Sequence, residues 1–315
     1  MTPSPAYLDH GATMAAISPN QAVQALLDAL RGGLRPDEDH PRIPVPLRNG
    51  EFLLMPSGSA HHAGVKVLTV APDNPARGLE RIQGLYVLFD AQTLAPQMLL
   101  EGSALTMIRT AAVSIAAVRP ALLDRTEAAH VVVYGTGPQG VAHVHTLRAV
   151  LAGRREIASV TMIARNPRRP EGMDDVNLAT SGSEQAQEAT ARADVIMCAT
   201  TARTPLFDSR AVRDDAVVTA VGSHEPDARE LDGALMGRAQ VVVEDVATAL
   251  RESGDVVMAI DEGALTAGDL ITMAEVATGA APLSPDRPVV FKSSGMSWQD
   301  LVIAGAIAGA GSARP

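Results

Sequence analysis

The most constraining feature of the chain is the run Val131-Val132-Val133-Tyr134, which ends in Gly135-Thr136-Gly137-Pro138-Gln139-Gly140 and passes directly into helical spacing over Gln139 to Leu151. An apolar run without polar alternation requires burial on both faces, as in a strand inside a parallel sheet covered by helices. Parallel neighbours need crossover connections, so the chain that follows should alternate strand and helix. It does. Strand-like runs recur at Val160–Ile163, Val195–Ala199, Ala216–Val221, Gln240–Glu244 and Pro288–Phe291, with helical or loop segments between. This alternation predicts an α/β fold with a doubly wound sheet. The polar stretch Pro167–Ser183 reads as a surface loop.

The glycines after Tyr134 have the G-x-G-x-x-G spacing, and here they follow a strand and open a helix, the context that gives the pattern meaning. Gly135 permits a tight turn, Gly137 lets the backbone approach a pyrophosphate, and Gly140 allows close helix–strand packing. The helix N-terminus then offers unpaired N–H groups to the anion. The segment therefore reads as a Rossmann NAD(P)-binding domain. At the end of the second strand an acid would bond the ribose hydroxyls of NAD, but the chain has Ala164-Arg165-Asn166, followed by Arg168 and Arg169. A cation in that place suits a ribose 2′-phosphate, which favours NADP(H) over NAD(H).

The first third has a different texture. Val23, Leu26, Leu27 and Leu30 recur at helical spacing from Ser18 to Leu34, behind a Ser18 N-cap and Pro19. Pro36 to Pro46 must be extended or looped. Strand-like runs follow at Glu51–Met55, Gly64–Val70 and Leu85–Asp90, and a helix from about Thr106 to Val118. Near the other end, Ser297 to Ala310 reads as a helix in which Ser297 and Asp300 have capping-pair spacing. These pieces predict an α+β domain.

Length and composition agree with two domains: 315 residues, 46% hydrophobic and 20% charged. A net charge of −10 argues against a nucleic-acid surface. The lone cysteine, Cys198, lies in an apolar run and excludes a disulfide framework. The first residues lack the pattern of a signal peptide, and no uncharged apolar run is long enough to span a bilayer, so a cytoplasmic location is expected. No metal site is expected. His143 and His145 are two apart on a helix and point to different faces.

The chain resembles the ornithine cyclodeaminase/mu-crystallin family over nearly its whole length. The resemblance is carried by Pro41-Arg42, Met55-Pro56, Gly64-Val65-Lys66, Arg109-Thr110-Ala111-Ala112 and Gly135-Thr136-Gly137-Pro138-Gln139. It continues in Ala193-Asp194, Val221-Gly222-Ser223, Arg229-Glu230-Leu231-Asp232 and Phe291-Lys292-Ser293-Ser294-Gly295. It implies a substrate and dimerisation domain of residues 1–115 completed by 296–315, around a Rossmann domain of residues 116–295, and a homodimer. It further implies a small amino or imino acid substrate held by Arg42, Met55, Lys66 and Arg109. Cofactor contacts are implied at Thr110, Gly135, Thr136, Gly137, Pro138, Gln139, Arg165, Asn166, Thr200, Val221, Gly222 and Lys292. Arginine forks suit a carboxylate, and Lys66, inside the apolar Val65–Leu68 run, adds a mobile charge and a proton donor.

The departures from the family pattern are informative. Ornithine cyclodeaminases carry an acid at the position of His224 and a Glu at that of Leu53, both suited to a cationic diamino acid. Here the loop His224-Glu225-Pro226-Asp227-Ala228-Arg229-Glu230 looks more like the mu-crystallin and cyclic-ketimine reductase branch. The expectation is an NADPH-dependent reductase of a cyclic imino acid such as pyrroline-2-carboxylate, with Lys66 and His224 as candidate acids. Glu225 or Asp227 could instead supply the acid of an ornithine cyclodeaminase. An alanine-type dehydrogenase and a non-catalytic NADPH-dependent binding protein are the remaining alternatives.

Overall fold

The computed structural model describes residues 4–312. It divides into two compact units with boundaries at Arg109/Thr110 and Gly295/Met296, so the first unit is assembled from both ends of the chain. The expected boundary at residue 115 falls in the same helix as the first of these.

The first unit holds a six-stranded sheet of β1 (Ala6–Leu8), β2 (Ile43–Leu47), β3 (Gly50–Gly58), β4 (His62–Val70), β5 (Ile82–Asp90) and β6 (Pro96–Glu101), in the order β1-β6-β5-β4-β3-β2. All pairs are antiparallel except β1 with β6. Helix α1 (His10–Ala15) follows β1 and is capped by Asp9. In α2 (Pro19–Arg31) Ser18 and Gln21 form a full capping box, and Val23, Leu26, Leu27 and Leu30 are buried. The stretch Pro36–Pro46, read as extended or looped, contains a short 3-10 turn and then β2. Two prolines are tolerated in β2 because it is an edge strand, where outward-facing positions need not donate. The next helix, α3 (Gly102–Leu123), is longer than its sequence pattern indicated and carries Pro120 in its last turn. It alone among the described helices has the length and hydropathy of a membrane span, but 67% of that window is buried in the protein. It is a core helix.

The second unit holds eight parallel strands: β7 (Ala129–Tyr134), β8 (Ile157–Ala164), β9 (Asn177–Thr180), β10 (Val195–Cys198), β11 (Val217–Ala220), β12 (Gln240–Val243), β13 (Leu270–Thr272) and β14 (Val289–Lys292). Their order is β13-β12-β14-β11-β10-β7-β8-β9, so β7 to β11 have the Rossmann arrangement with β7 central. The crossovers carry α4 (Pro138–Leu151), α5 (Glu184–Arg192), α6 (Gly233–Arg238), α7 (Val246–Glu252), α8 (Gly254–Asp261) and α9 (Met273–Thr278). The segment read as a loop over Pro167–Ser183 contains β9, a four-residue edge strand too short for alternation to reveal. The last helix, α10 (Ser297–Ser312), returns to the first unit and packs on α2, β3, β4 and β5.

The turn from β7 to α4 explains its glycines. Gly135 has φ +114°, a left-handed value that strains any other residue. A Cβ on Gly140 would lie 2.2 Å from the Gly135 carbonyl oxygen, whereas one on Gly137 would meet nothing within 4 Å. Gly140→Ala is therefore expected to destabilise by about 1–3 kcal/mol, seen as a lowered melting temperature. Gly137→Ala should stay within roughly 1 kcal/mol of the parent in the same measurement.

Candidate active site

At the carboxyl ends of β7, β8, β10 and β11 the second unit opens into a cleft of about 810 Å³. Gly135, Gln139, Arg165, Thr200, Val221 and Gly222 all line it. Thr136, Gly137 and Pro138 complete the glycine turn, with Gly137 as the N-cap of α4 and no side chain capping the helix. The first-turn N–H groups of a 14-residue helix thus remain for an anion. The cleft's size, its place at the strand ends and the uncapped helix fit a dinucleotide. Arg165, directly after β8, is exposed into the cleft, and Asn166 follows it, also exposed. Arg169 instead donates to the carbonyls of Met173, Asp174 and Val176 and holds its own loop. Thr110 is buried on α3, and its Oγ1 has no hydrogen-bond partner among the described residues.

The floor of the cleft is tied together by a buried carboxylate. Glu230 accepts from Thr200 N (2.8 Å), Thr200 Oγ1 (2.7 Å) and Gly222 N (2.8 Å), bridging the loops after β10 and β11. Asp255 in turn accepts from the N–H groups of Glu230 and Leu231, both at 2.8 Å. Lys292 corrects an expectation: it does not line the cleft. Its ammonium is fully buried, 2.9 Å from Asp255 Oδ2, and donates to the carbonyl of Ser223 at 2.8 Å. It thereby fixes the peptide that precedes His224. The His224 side chain is exposed on the loop after β11. The two acids of that loop are both engaged by Arg203, which reaches Glu225 at 2.5 Å and Asp227 at 2.6 Å.

The first unit gathers three cations close together. Strand alternation turns Gly64, Lys66 and Leu68 inward, and Lys66 stands directly between Met55 of β3 and Tyr86 of β5. All three are buried. Lys66 Nζ donates to Asp300 Oδ2 at 2.7 Å and reaches Thr106 Oγ1 at 3.5 Å. Arg109 donates to Gln299 Oε1 at 2.9 Å, and its Nε lies 3.8 Å from Asp300 Oδ1. Arg42, half-buried before β2, is close enough to act on the same ammonium. Burial lowers Lys66 to about 8; Asp300 opposes that shift, while Arg109 and Arg42 reinforce it. The phenol of Tyr86 is pushed up by burial and by the charges of Asp300 and Asp39. Leu53 is half-buried and pairs across to Leu68.

Asp300 and Gln299 were not legible as site residues. The Ser297–Asp300 spacing reads as a helix cap, yet the carboxylate closes on Lys66 instead. The composition held one further signal. The chain has only two lysines, Lys66 and Lys292, and each is fully buried against an aspartate. A residue type that elsewhere covers surfaces is here kept for the interior. Two other residues are quiet. His143 lies between Gln139 O (2.8 Å) and Ser114 Oγ (2.9 Å), and burial lowers it to about 4, so it is neutral. The Cys198 thiol is buried and pushed up.

Comparison with known proteins agrees with this arrangement. The profile of the ornithine cyclodeaminase/mu-crystallin family matches residues 11–311. The delta(1)-pyrroline-2-carboxylate reductase of Paracoccus denitrificans is 34% identical over 254 residues, covering 78% of this chain and 78% of the relative. Ketimine reductase mu-crystallin of Mus musculus is 31% identical over 270 residues, covering 83% and 81%. The solved Thermococcus litoralis delta(1)-pyrroline-2-carboxylate reductase, in complex with NADH and L-proline, is similar with a TM-score of 0.83 at 27% identity, over 97% of each chain. With a Rossmann cleft, a buried cationic cluster and a match along almost its full length, the chain belongs to the ornithine cyclodeaminase/mu-crystallin family.

Proposed function

We propose that the protein is an NADPH-dependent reductase of a small cyclic imino acid, of the pyrroline-2-carboxylate class. The observation that carries this reading is the cluster of Lys66 and Arg109 on Asp300 with Arg42 close to Lys66, a set of cations suited to a carboxylate beside a reducible C=N bond. The arginines would clamp the carboxylate, and such fixing of the reacting carbon lowers a barrier by several kcal/mol. The bound nicotinamide supplies the hydride. Lys66 supplies the proton that the imine nitrogen needs, and Asp300 keeps that lysine in its acid form against burial. His224, exposed on the loop that Lys292 steadies, is the second candidate acid.

The cyclodeaminase alternative is weakened on two counts. Leu53 offers no charge to a second ammonium, and Glu225 and Asp227 are already paired with Arg203. A homodimer is supported by the row Ile43, Leu54, Val67 and Leu85, apolar residues facing one another across four strands. Ile43 and Leu85 are exposed. A second copy covering that face would remove them from water. The preference for NADPH rests on Arg165; the Thermococcus relative was solved with NADH.

Three outcomes are expected. The purified protein should oxidise NADPH with pyrroline-2-carboxylate and release little ammonia from ornithine, and Lys66→Gln should lower kcat/KM by about two to four orders of magnitude. Ammonia release without imine reduction would overturn the reading. The acid form of Lys66 is lost as pH rises through about 8, so kcat/KM should fall on that side. Asp300→Asn removes the charge that holds this lysine up, and the midpoint should move to lower pH. Finally, calorimetric titration should find NADPH bound about tenfold or more tighter than NADH, with Arg165→Ala erasing most of the difference.

A further inference from the structure

The buried charges beneath the cleft do not balance. Glu230 and Asp255 are both fully inside, and Lys292 is the one cation hydrogen-bonded or ion-paired with them among the described residues. Geometry favours the Glu230 anion: Oε1 accepts the Thr200 N–H and hydroxyl, and Oε2 accepts the Gly222 N–H. Burial, with Asp255 adding to it, raises this carboxyl above its ordinary value, and Lys292, the Thr200 hydroxyl and the Gly222 N–H only partly oppose the shift. A further buried carboxylate, Glu244, accepts from Ser293 Oγ and from the N–H groups of Ser294 and Gly295. Arg203, a cation on the rim, is already offset by two acids. The Cys198 thiol, which ends β10 just before the cleft, registers this surplus: after burial, Glu230 and Asp255 both raise it and Lys292 alone opposes them.

The topology says which part of a dinucleotide meets this floor. The pyrophosphate belongs at the turn after β7, and the adenosine ribose at the end of β8. By the same rule the nicotinamide half would lie on the other side of β7, towards β10 and β11, whose end loops carry Thr200 and Gly222. These are the two residues that Glu230 joins. A Cβ on Gly222 would lie 2.1 Å from the Thr200 carbonyl oxygen and 2.5 Å from Glu230 Oε1, so the carboxylate is pressed directly against the cleft wall.

We infer that Glu230, seconded by Asp255 and opposed by Lys292, is a positioning residue that gives the nicotinamide side of the cleft a negative floor and so favours the oxidised over the reduced cofactor. Loss of a hydride leaves the nicotinamide ring with one more positive charge, and a fixed anion nearby stabilises the charged form. The surrounding medium is partly desolvated, where one charge within several ångströms is worth about a three- to thirtyfold change in relative affinity.

The test is the ratio of dissociation constants for oxidised and reduced cofactor, measured by calorimetry at constant pH and ionic strength. Glu230→Gln should raise the ratio Kd(NADP+)/Kd(NADPH) by about three- to thirtyfold, because it removes the anion. Asp255→Asn should move the ratio the same way, and Lys292→Met the opposite way. A staple with no electrostatic role would weaken both forms equally, so an unchanged ratio in Glu230→Gln overturns the inference. If that variant does not fold, Lys292→Met decides: a ratio that fails to fall overturns it equally.

Discussion

Each unit of the protein is organised around a lysine taken out of water and closed on an aspartate. Lys66 meets Asp300 at 2.7 Å in the first unit, and Lys292 meets Asp255 at 2.9 Å in the second. Desolvating an ion costs several kcal/mol, and the attraction between partners offsets that cost only when the geometry is good. Breaking such a pair from one side leaves an uncompensated buried charge and is strongly destabilising, by about 3–5 kcal/mol. The pairs are also long-range. Asp300 is brought to Lys66 from 234 positions away, so the site exists only once both ends of the chain have met.

The two pairs serve different surroundings. Lys66 lies among cations, with Arg109 and Arg42 acting on it, and Asp300 is the anion that pairs with it. Lys292 lies among anions and holds a loop carbonyl as well as Asp255. One unit thus buries a local cluster rich in cations, suited to a carboxylate, and the other a local excess of anions beneath a dinucleotide cleft. Net charge over the whole chain conceals this separation. Only the placement of a few buried groups reveals it.

The central strand and its glycines were legible because parallel-sheet burial leaves no alternation and because a tight turn against a helix restricts residue choice. Short edge elements were not. β1, β9 and β13 are three or four residues long, with too few apolar positions to display a period. Arg42, Lys66 and Arg109 came from resemblance to a family, and the fold gathers them in one unit. Asp300 was hidden by a local pattern, since Ser297-Trp298-Gln299-Asp300 has the spacing of a cap and nothing in sequence says that the carboxylate faces β4. Lys292 too came from that resemblance, as a cofactor contact, and its side chain is long enough for the ammonium to turn back to Asp255 in the interior. Tertiary partners decide both cases.

The scarcity of lysine has a practical consequence. Surface cations in this chain are arginines, and neither lysine amine is exposed in the folded protein. Acylating reagents that seek unprotonated amines therefore find no exposed lysine on the native surface. Of the two, Lys66 belongs to the first unit and reaches solvent only when that unit opens. Covalent labelling at that residue becomes a clock for opening, readable by mass without any substrate or cofactor. A ligand that fills the cationic cluster would slow the clock.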